Sequence, residues 1–159
     1  MSRTDAQSND PPVAAGDPLE VRTASPLVED DRTGMADATL KRAFLDHLSY
    51  SLGKGAVNST DLDRFFALAL TVRDRLTYRW AQTQETYSKI DAKRIYYLSA
   101  EFLLGRALAN NLHALGIYDK SKVLLNGAGL ELADVLEDEP EPGLGNGGLG
   151  RLADRKSVV

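Results

Sequence analysis

The sequence predicts the opening of an α/β domain, mostly α-helical, with one or a few strands. Three observations predict it. Apolar residues recur at helical spacing over 40–52 and again over 62–80. A short β-branched and aromatic run follows at 94–99, and a glycine-dense loop stands at 143–150. Helix, helix, strand, helix is an order in which layered α/β domains begin, with the sheet barely started.

Residues 1–34 are rich in Asp, Ser, Thr, Pro and Gly, and their apolar residues follow no period. A segment of that kind buries too little to order itself, so a disordered tail is expected there. Arg22 and Ser25 sit at a spacing some kinases accept, a pair too common by chance to carry a regulatory assignment. Order is expected from Met35. Leu40, Phe44, Leu48 and Leu52 fall at steps of four and line one helix face, which Gly53 and Gly55 end.

A second helix is expected from Ser59 or Thr60, either of which can cap it, with Asp61 and Asp63 favoured in its first turn by the helix dipole. Its expected apolar stripe is Leu62, Phe65, Phe66, Ala69, Val72, Leu76 and Trp80. Arg73, Asp74, Arg75 and Arg79 then mostly face solvent. Residues 94–99 read as a buried strand. A helix is expected from Glu101 to Leu115 with Gly116 as its stop, and shorter ones at 119–126 and 130–138.

Bulk properties exclude several functions. The chain has 159 residues and a net charge of −4, which argues against a general nucleic-acid binder. No apolar run approaches the roughly 20 residues that span a bilayer, so no membrane association is expected. No basic-then-apolar leader opens the sequence. Cysteine is absent, which excludes disulfides and thiolate metal sites, and His47 and His113 form no ligand cluster. A cytoplasmic protein is expected.

The loop Gly143-Leu-Gly-Asn-Gly-Gly-Leu-Gly-Arg151 is the most informative stretch. Five glycines in eight residues let a ligand approach the main chain closely. Amides at such a turn, leading into a helix N-terminus, make an anion site; the plainer alternative is a flexible turn. Gly143 to Gly148 also matches the GxGxxG pattern of dinucleotide-binding proteins. That fingerprint should follow a strand, whereas here it follows the acidic, proline-broken run 137–142.

Two blocks resemble signatures of the α-glucan (glycogen, starch or maltodextrin) phosphorylases. They are Arg94-Ile-Tyr-Tyr-Leu-Ser-Ala-Glu-Phe-Leu-Leu-Gly-Arg106 and Gly143-Leu-Gly-Asn-Gly-Gly-Leu-Gly-Arg-Leu-Ala153. The run from Phe65 to Leu76, with Arg79-Trp80, resembles the same family. The resemblance covers roughly residues 38–153, in order, and marks 35–153 as an incomplete N-terminal phosphorylase domain.

The resemblance implies a two-domain GT-B glycosyltransferase fold. It implies phosphorolysis of a terminal α-1,4-linked glucose by inorganic phosphate to glucose 1-phosphate. Pyridoxal 5′-phosphate is the implied cofactor, held on a lysine and used through its phosphate, and the whole enzyme is implied to be a homodimer. By similarity, the Gly147 and Gly148 amides face the cofactor and substrate phosphates, and Asn146 and Leu149 line the glucose and phosphate pocket. Glu101 matches a family acid near the active site; it reads equally as a carboxylate favoured by a helix N-terminus. Leu103 stands where animal members often carry tyrosine. Arg106 and Arg151 are expected to pair with acids rather than touch substrate. An aspartate and a tyrosine that help hold AMP in animal members correspond to Gly55 and Ser88, so AMP activation of that kind is not expected.

The likeness breaks at Asp154, leaving 154–159 as a non-family end in which only a turn or two of helix is expected. The cofactor lysine and the second domain have no counterpart here. The reading is of an interrupted frame whose 159-residue product is inactive alone and prone to aggregate through uncovered apolar faces. The alternative reading is a small phosphate- or nucleotide-binding module using the glycine loop, and a third is a helical interaction domain.

Overall fold

The structure, a computed structural model, describes residues 32–157. Nearly all of the expected tail, residues 1–31, lies outside it, as do residues 158–159. Six α-helices follow in order: α1 (Asp37–Asp46), α2 (Asp61–Lys89), α3 (Leu108–Leu115), α4 (Tyr118–Asn126), α5 (Leu132–Glu137) and α6 (Gly148–Ser157). The first five enclose one core of Leu40, Phe44, Leu48, Phe65, Leu68, Val72, Leu112, Ile117, Leu125, Leu132 and Val135, among others.

The apolar spacing of α1 holds. Leu40, Phe44 and Leu48 are buried and Leu52 packs against them. A step of four is wider than the α-helical turn, and the chain widens accordingly into a π-helical turn at His47–Ser51. Gly53 ends it in the left-handed region, at φ +66°.

Thr60 caps α2 as expected. Its Oγ1 accepts from the Asp63 amide at 3.2 Å, while Asp63 Oδ2 accepts from the Thr60 amide at 2.9 Å. The buried face of the 29-residue helix is rotated from the expected stripe: Phe65, Ala67, Leu68, Thr71, Val72 and Arg75 are inside. Leu62, Phe66 and Trp80 are exposed. Arg75, expected at the surface, is only 1 % exposed. Its guanidinium donates to the Gly34 carbonyl through Nε at 3.1 Å and Nη2 at 2.6 Å, and to the Thr71 carbonyl at 2.7 Å. Burial of the charge is tolerable because its donors meet carbonyl acceptors. Asp74 also turns inward, its Oδ2 lying 2.6 Å from Arg32 Nε and 3.0 Å from His47 Nε2.

The strand expected at 94–99 does not form, and no strand occurs among the described residues. The segment is not helical, and Ile95, Tyr96 and Leu98 are 86 %, 78 % and 91 % exposed. Aromatic and β-branched composition favours a strand only beside another strand that takes its ladder hydrogen bonds, and no second strand stands among the described residues. Among the described residues the chain is mostly helical, as expected, and the strand part of the α/β expectation is not met.

The helix expected from Glu101 begins only at Leu108. Gly105 at φ +64° interrupts the chain first. The orphan amides of Ala107 and Leu108 are taken by Glu139, at 2.7 Å for Ala107 and 3.1–3.2 Å for Leu108. Arg106 donates to Glu137 at 2.7 Å. The acidic run before the glycine loop thus serves as the cap of a distant helix. Gly116 closes α3 at φ +70° in a Schellman pattern, with Gly116 N–H donating to His113 and Ile117 N–H to Leu112. The two short helices form close to their expected ranges. No helix of the described residues is long and apolar enough to cross a membrane.

Candidate functional site

The glycine loop is folded onto residues 101–103. The Phe102 amide donates to the Leu144 carbonyl at 3.0 Å, and the Leu103 amide to the Gly150 carbonyl at 3.1 Å. Two glycines make this approach possible. A Cβ on Gly145 would lie 2.9 Å from Glu101 Cβ and 3.1 Å from the Phe102 nitrogen, and one on Gly150 would lie 3.2 Å from the Leu103 nitrogen. Any side chain at Gly145 forces the two segments apart. Gly143, at φ +63°, starts the loop in a conformation L-residues avoid.

Helix α6 grows directly out of the loop at Gly148, where a helix start was expected. The Arg151 amide donates to the Gly147 carbonyl at 3.1 Å. The amides of Gly148, Leu149 and Gly150 precede that bond and so have no acceptor within the helix. They stand at the positive end of the α6 dipole. A Cβ on Gly148 would meet no atom within 4 Å, so the space beside it is open. Asn146, Gly147, Gly148 and Leu149 are all exposed, whereas Gly150 and Ala153 are buried.

Glu101 comes to the same place. One of its carboxylate oxygens, Oε2, would lie 3.8 Å from a Cβ on Gly147. Its own segment is not helical, so it is no first-turn carboxylate of α3. The Ser99 hydroxyl fixes its backbone, donating to the Glu101 carbonyl at 2.8 Å and accepting from its amide at 3.3 Å. The structure therefore gathers Glu101, Gly147 and Gly148. Arg106 is held by Glu137, which raises its pKa above the ordinary arginine value, and does not reach the loop. Gly55 donates its amide to Asn58 Oδ1 in the turn before α2, and Ser88 lies exposed in the last turn of that helix. No group of metal-ligating side chains occurs among the described residues.

The roles of Gly145 and Gly150 are not legible in the sequence. Both were visible as glycines in the loop, but what lies against them is set by the tertiary fold.

A protein of Synechocystis named glycogen phosphorylase is 49 % identical over 138 residues, 86 % of this chain and 16 % of that protein. The chain carries a glycogen phosphorylase segment. The human brain form is 43 % identical over 140 residues, covering 82 % of this chain and 17 % of its own length. The bovine liver form is 47 % identical over 116 residues, 73 % of this chain and 14 % of its own. The chain thus spans about one-sixth of the length of these phosphorylases. No protein-family profile matches it. These relatives give no support to the reading of a free-standing nucleotide-binding module.

Proposed function

We propose that residues 35–153 form the N-terminal part of an α-1,4-glucan phosphorylase with a GT-B fold, acting on a glucan and inorganic phosphate. The observation that carries this reading is the start of α6 at Gly148, inside a glycine loop with open space beside it. A phosphate there meets exposed amides and a positive dipole end, with no mobile cation needed. In this role the Gly147 and Gly148 amides bind phosphate, Asn146 and Leu149 line the glucose and phosphate pocket, and Glu101 bounds it. In the whole enzyme the glycosidic bond from the glucose anomeric carbon to the chain oxygen breaks, and a bond from that carbon to phosphate oxygen forms. The displaced chain oxygen takes up a proton.

Pyridoxal 5′-phosphate would supply a second phosphate group beside the first. The residues present fit that end of it: the open side of Gly148 accepts an anion, and the dipole favours one. No residue here is assigned to hold its other end. A cytoplasmic homodimer is the form proposed for the whole enzyme.

The test is a chimera in which this chain replaces the matching segment of the Synechocystis phosphorylase. Reconstituted with pyridoxal 5′-phosphate, it should release glucose 1-phosphate from glucan and phosphate. A soluble, cofactor-loaded chimera without activity sinks the proposal.

A further inference from the structure

The side chains of His47 and Asp74 are only 8 % and 9 % exposed, and nothing in the glucan reading uses them. Polar groups placed inside need hydrogen-bonded partners, and here the partners form a relay. His47 Nε2 lies 3.0 Å from Asp74 Oδ2, and His47 Nδ1 lies 2.9 Å from Ser51 Oγ. A carboxylate only accepts, so the hydrogen of a neutral ring sits on Nε2 and is donated to Asp74. The ring then carries its lone pair on Nδ1, and the Ser51 hydroxyl donates to it. Arg32, whose Nε is 2.6 Å from the same Asp74 oxygen, holds that carboxylate in place.

The relay opens outward. His47 and Ser51 begin and end the π-helical turn, a rare geometry that recurs at functional sites. Ser51 is exposed, and both residues line a pocket of about 270 Å³ together with Arg32, Arg42 and Tyr50. A hydroxyl bonded to a base that a carboxylate orients is the arrangement of an activated nucleophile. The two ring nitrogens exchange the duties they have in serine proteases.

We propose that Ser51, His47 and Asp74 form an esterase-type site for small carboxylic esters, built on the π-helical turn and α2 and not on the glycine loop. Ser51 Oγ attacks the ester carbonyl carbon while its proton passes to His47 Nδ1. The carbonyl oxygen gains negative charge, which the positive charge of Arg32 and Arg42 in the pocket wall favours. The bond from the carbonyl carbon to the alcohol oxygen breaks, the alcohol leaves with the proton from His47, and the acyl group stays on Ser51. Water then attacks the acyl carbon and gives a proton to His47. The carboxylic acid departs as Ser51 Oγ takes that proton back. Asp74 is the positioning residue, acting through the ring it orients.

The experiment treats the 159-residue chain, and in parallel the chimera, with a fluorophosphonate, whose phosphorus bonds to an activated serine oxygen and releases fluoride. Peptide mass spectrometry should find the label on Ser51 about a hundredfold faster than on Ser49, an exposed serine of the same turn, the scale of general-base assistance. The same protein should hydrolyse p-nitrophenyl acetate, and Ser51→Ala should not. Asp74→Asn keeps the shape of that side chain but can present an N–H to Nε2 and reverse the tautomer. Labelling should then fall by about a hundredfold in a protein whose circular dichroism is unchanged. His47→Ala should lose the labelling and regain it with added imidazole, which restores a base but not a structural contact. Equal labelling of Ser49 and Ser51 in both proteins overturns the proposal. So does labelling of Ser51 that Asp74→Asn leaves unchanged, or ester hydrolysis that survives Ser51→Ala.

Discussion

Gly145 lies so close to Glu101 that a Cβ at that glycine would sit 2.9 Å from the glutamate Cβ. The contact joins the two sequence blocks that carry the family likeness. Gly145→Ala should therefore lift the loop from residues 101–103 and displace the amides at the start of α6. In the chimera, kcat/KM should fall by about a hundredfold, the scale of an ångström-sized misplacement. The thermal midpoint should change little, because Leu112, Leu125 and the rest of the core lie in other helices. A large loss of stability with unchanged activity would contradict this.

Gly148→Ala separates binding from folding at the same loop. Its Cβ has open space and its φ is not left-handed, so the fold should tolerate it. Stability should hold or rise by up to about 1 kcal/mol, the usual gain of alanine over glycine in a helix. If phosphate approaches the open side of Gly148, KM for phosphate should rise in the chimera. An unchanged KM places the anion elsewhere.

Glu101→Gln tests what a carboxylate does beside the amides. A negative charge near Gly147 occupies the favourable end of the α6 dipole and repels an incoming phosphate. Removing the charge should lower KM for phosphate about two- to fivefold, the effect of one charge at a helix terminus. A fall in kcat with KM unchanged would instead make Glu101 a participant in the chemistry.

What was legible in the sequence is what depends on near neighbours. The Leu40, Phe44 and Leu48 face, the Thr60–Asp63 cap and the Gly116 stop each depend on residues within a few positions, and each is observed. The helix start at Gly148 followed instead from the family likeness. Features set by distant partners were not legible. Arg75 looks like a surface arginine until the Gly34 carbonyl arrives from 41 positions away. Glu139 reads as part of an acidic linker until it caps Leu108, 31 positions back. Residues 94–99 have strand composition, but pairing needs a neighbour that local sequence does not reveal. The close approach of Gly145 to Glu101 belongs with these distant features.

Arg75→Met keeps much of the volume of the side chain and removes its donors. The buried Gly34 carbonyl then loses two guanidinium bonds. Stability should fall by about 3 kcal/mol, within the range for a charged hydrogen bond lost together with an acceptor left buried. A urea midpoint in the chimera checks this. A change below about 0.5 kcal/mol would show that the carbonyl finds water instead.

Asp63 makes the α2 cap sensitive to acid. The Thr60 amide and hydroxyl both donate to its carboxylate, with Lys54 and Arg64 adding favourable charge, and together they hold its pKa below the ordinary 3.8. A group whose pKa is lower in the folded state binds its proton less readily there than in the unfolded chain. The folded state therefore gains from Asp63 at all pH values above the ordinary pKa, and this gain fades as pH falls through the lower, folded one. The stability difference between the native chain and Asp63→Asn should be constant from neutral pH down to about pH 4 and shrink below it. Denaturation curves across that range decide the matter. A difference that persists unchanged at the acid end would mean that the cap depends on the Thr60 hydroxyl and the shape of the side chain at 63, and not on its charge.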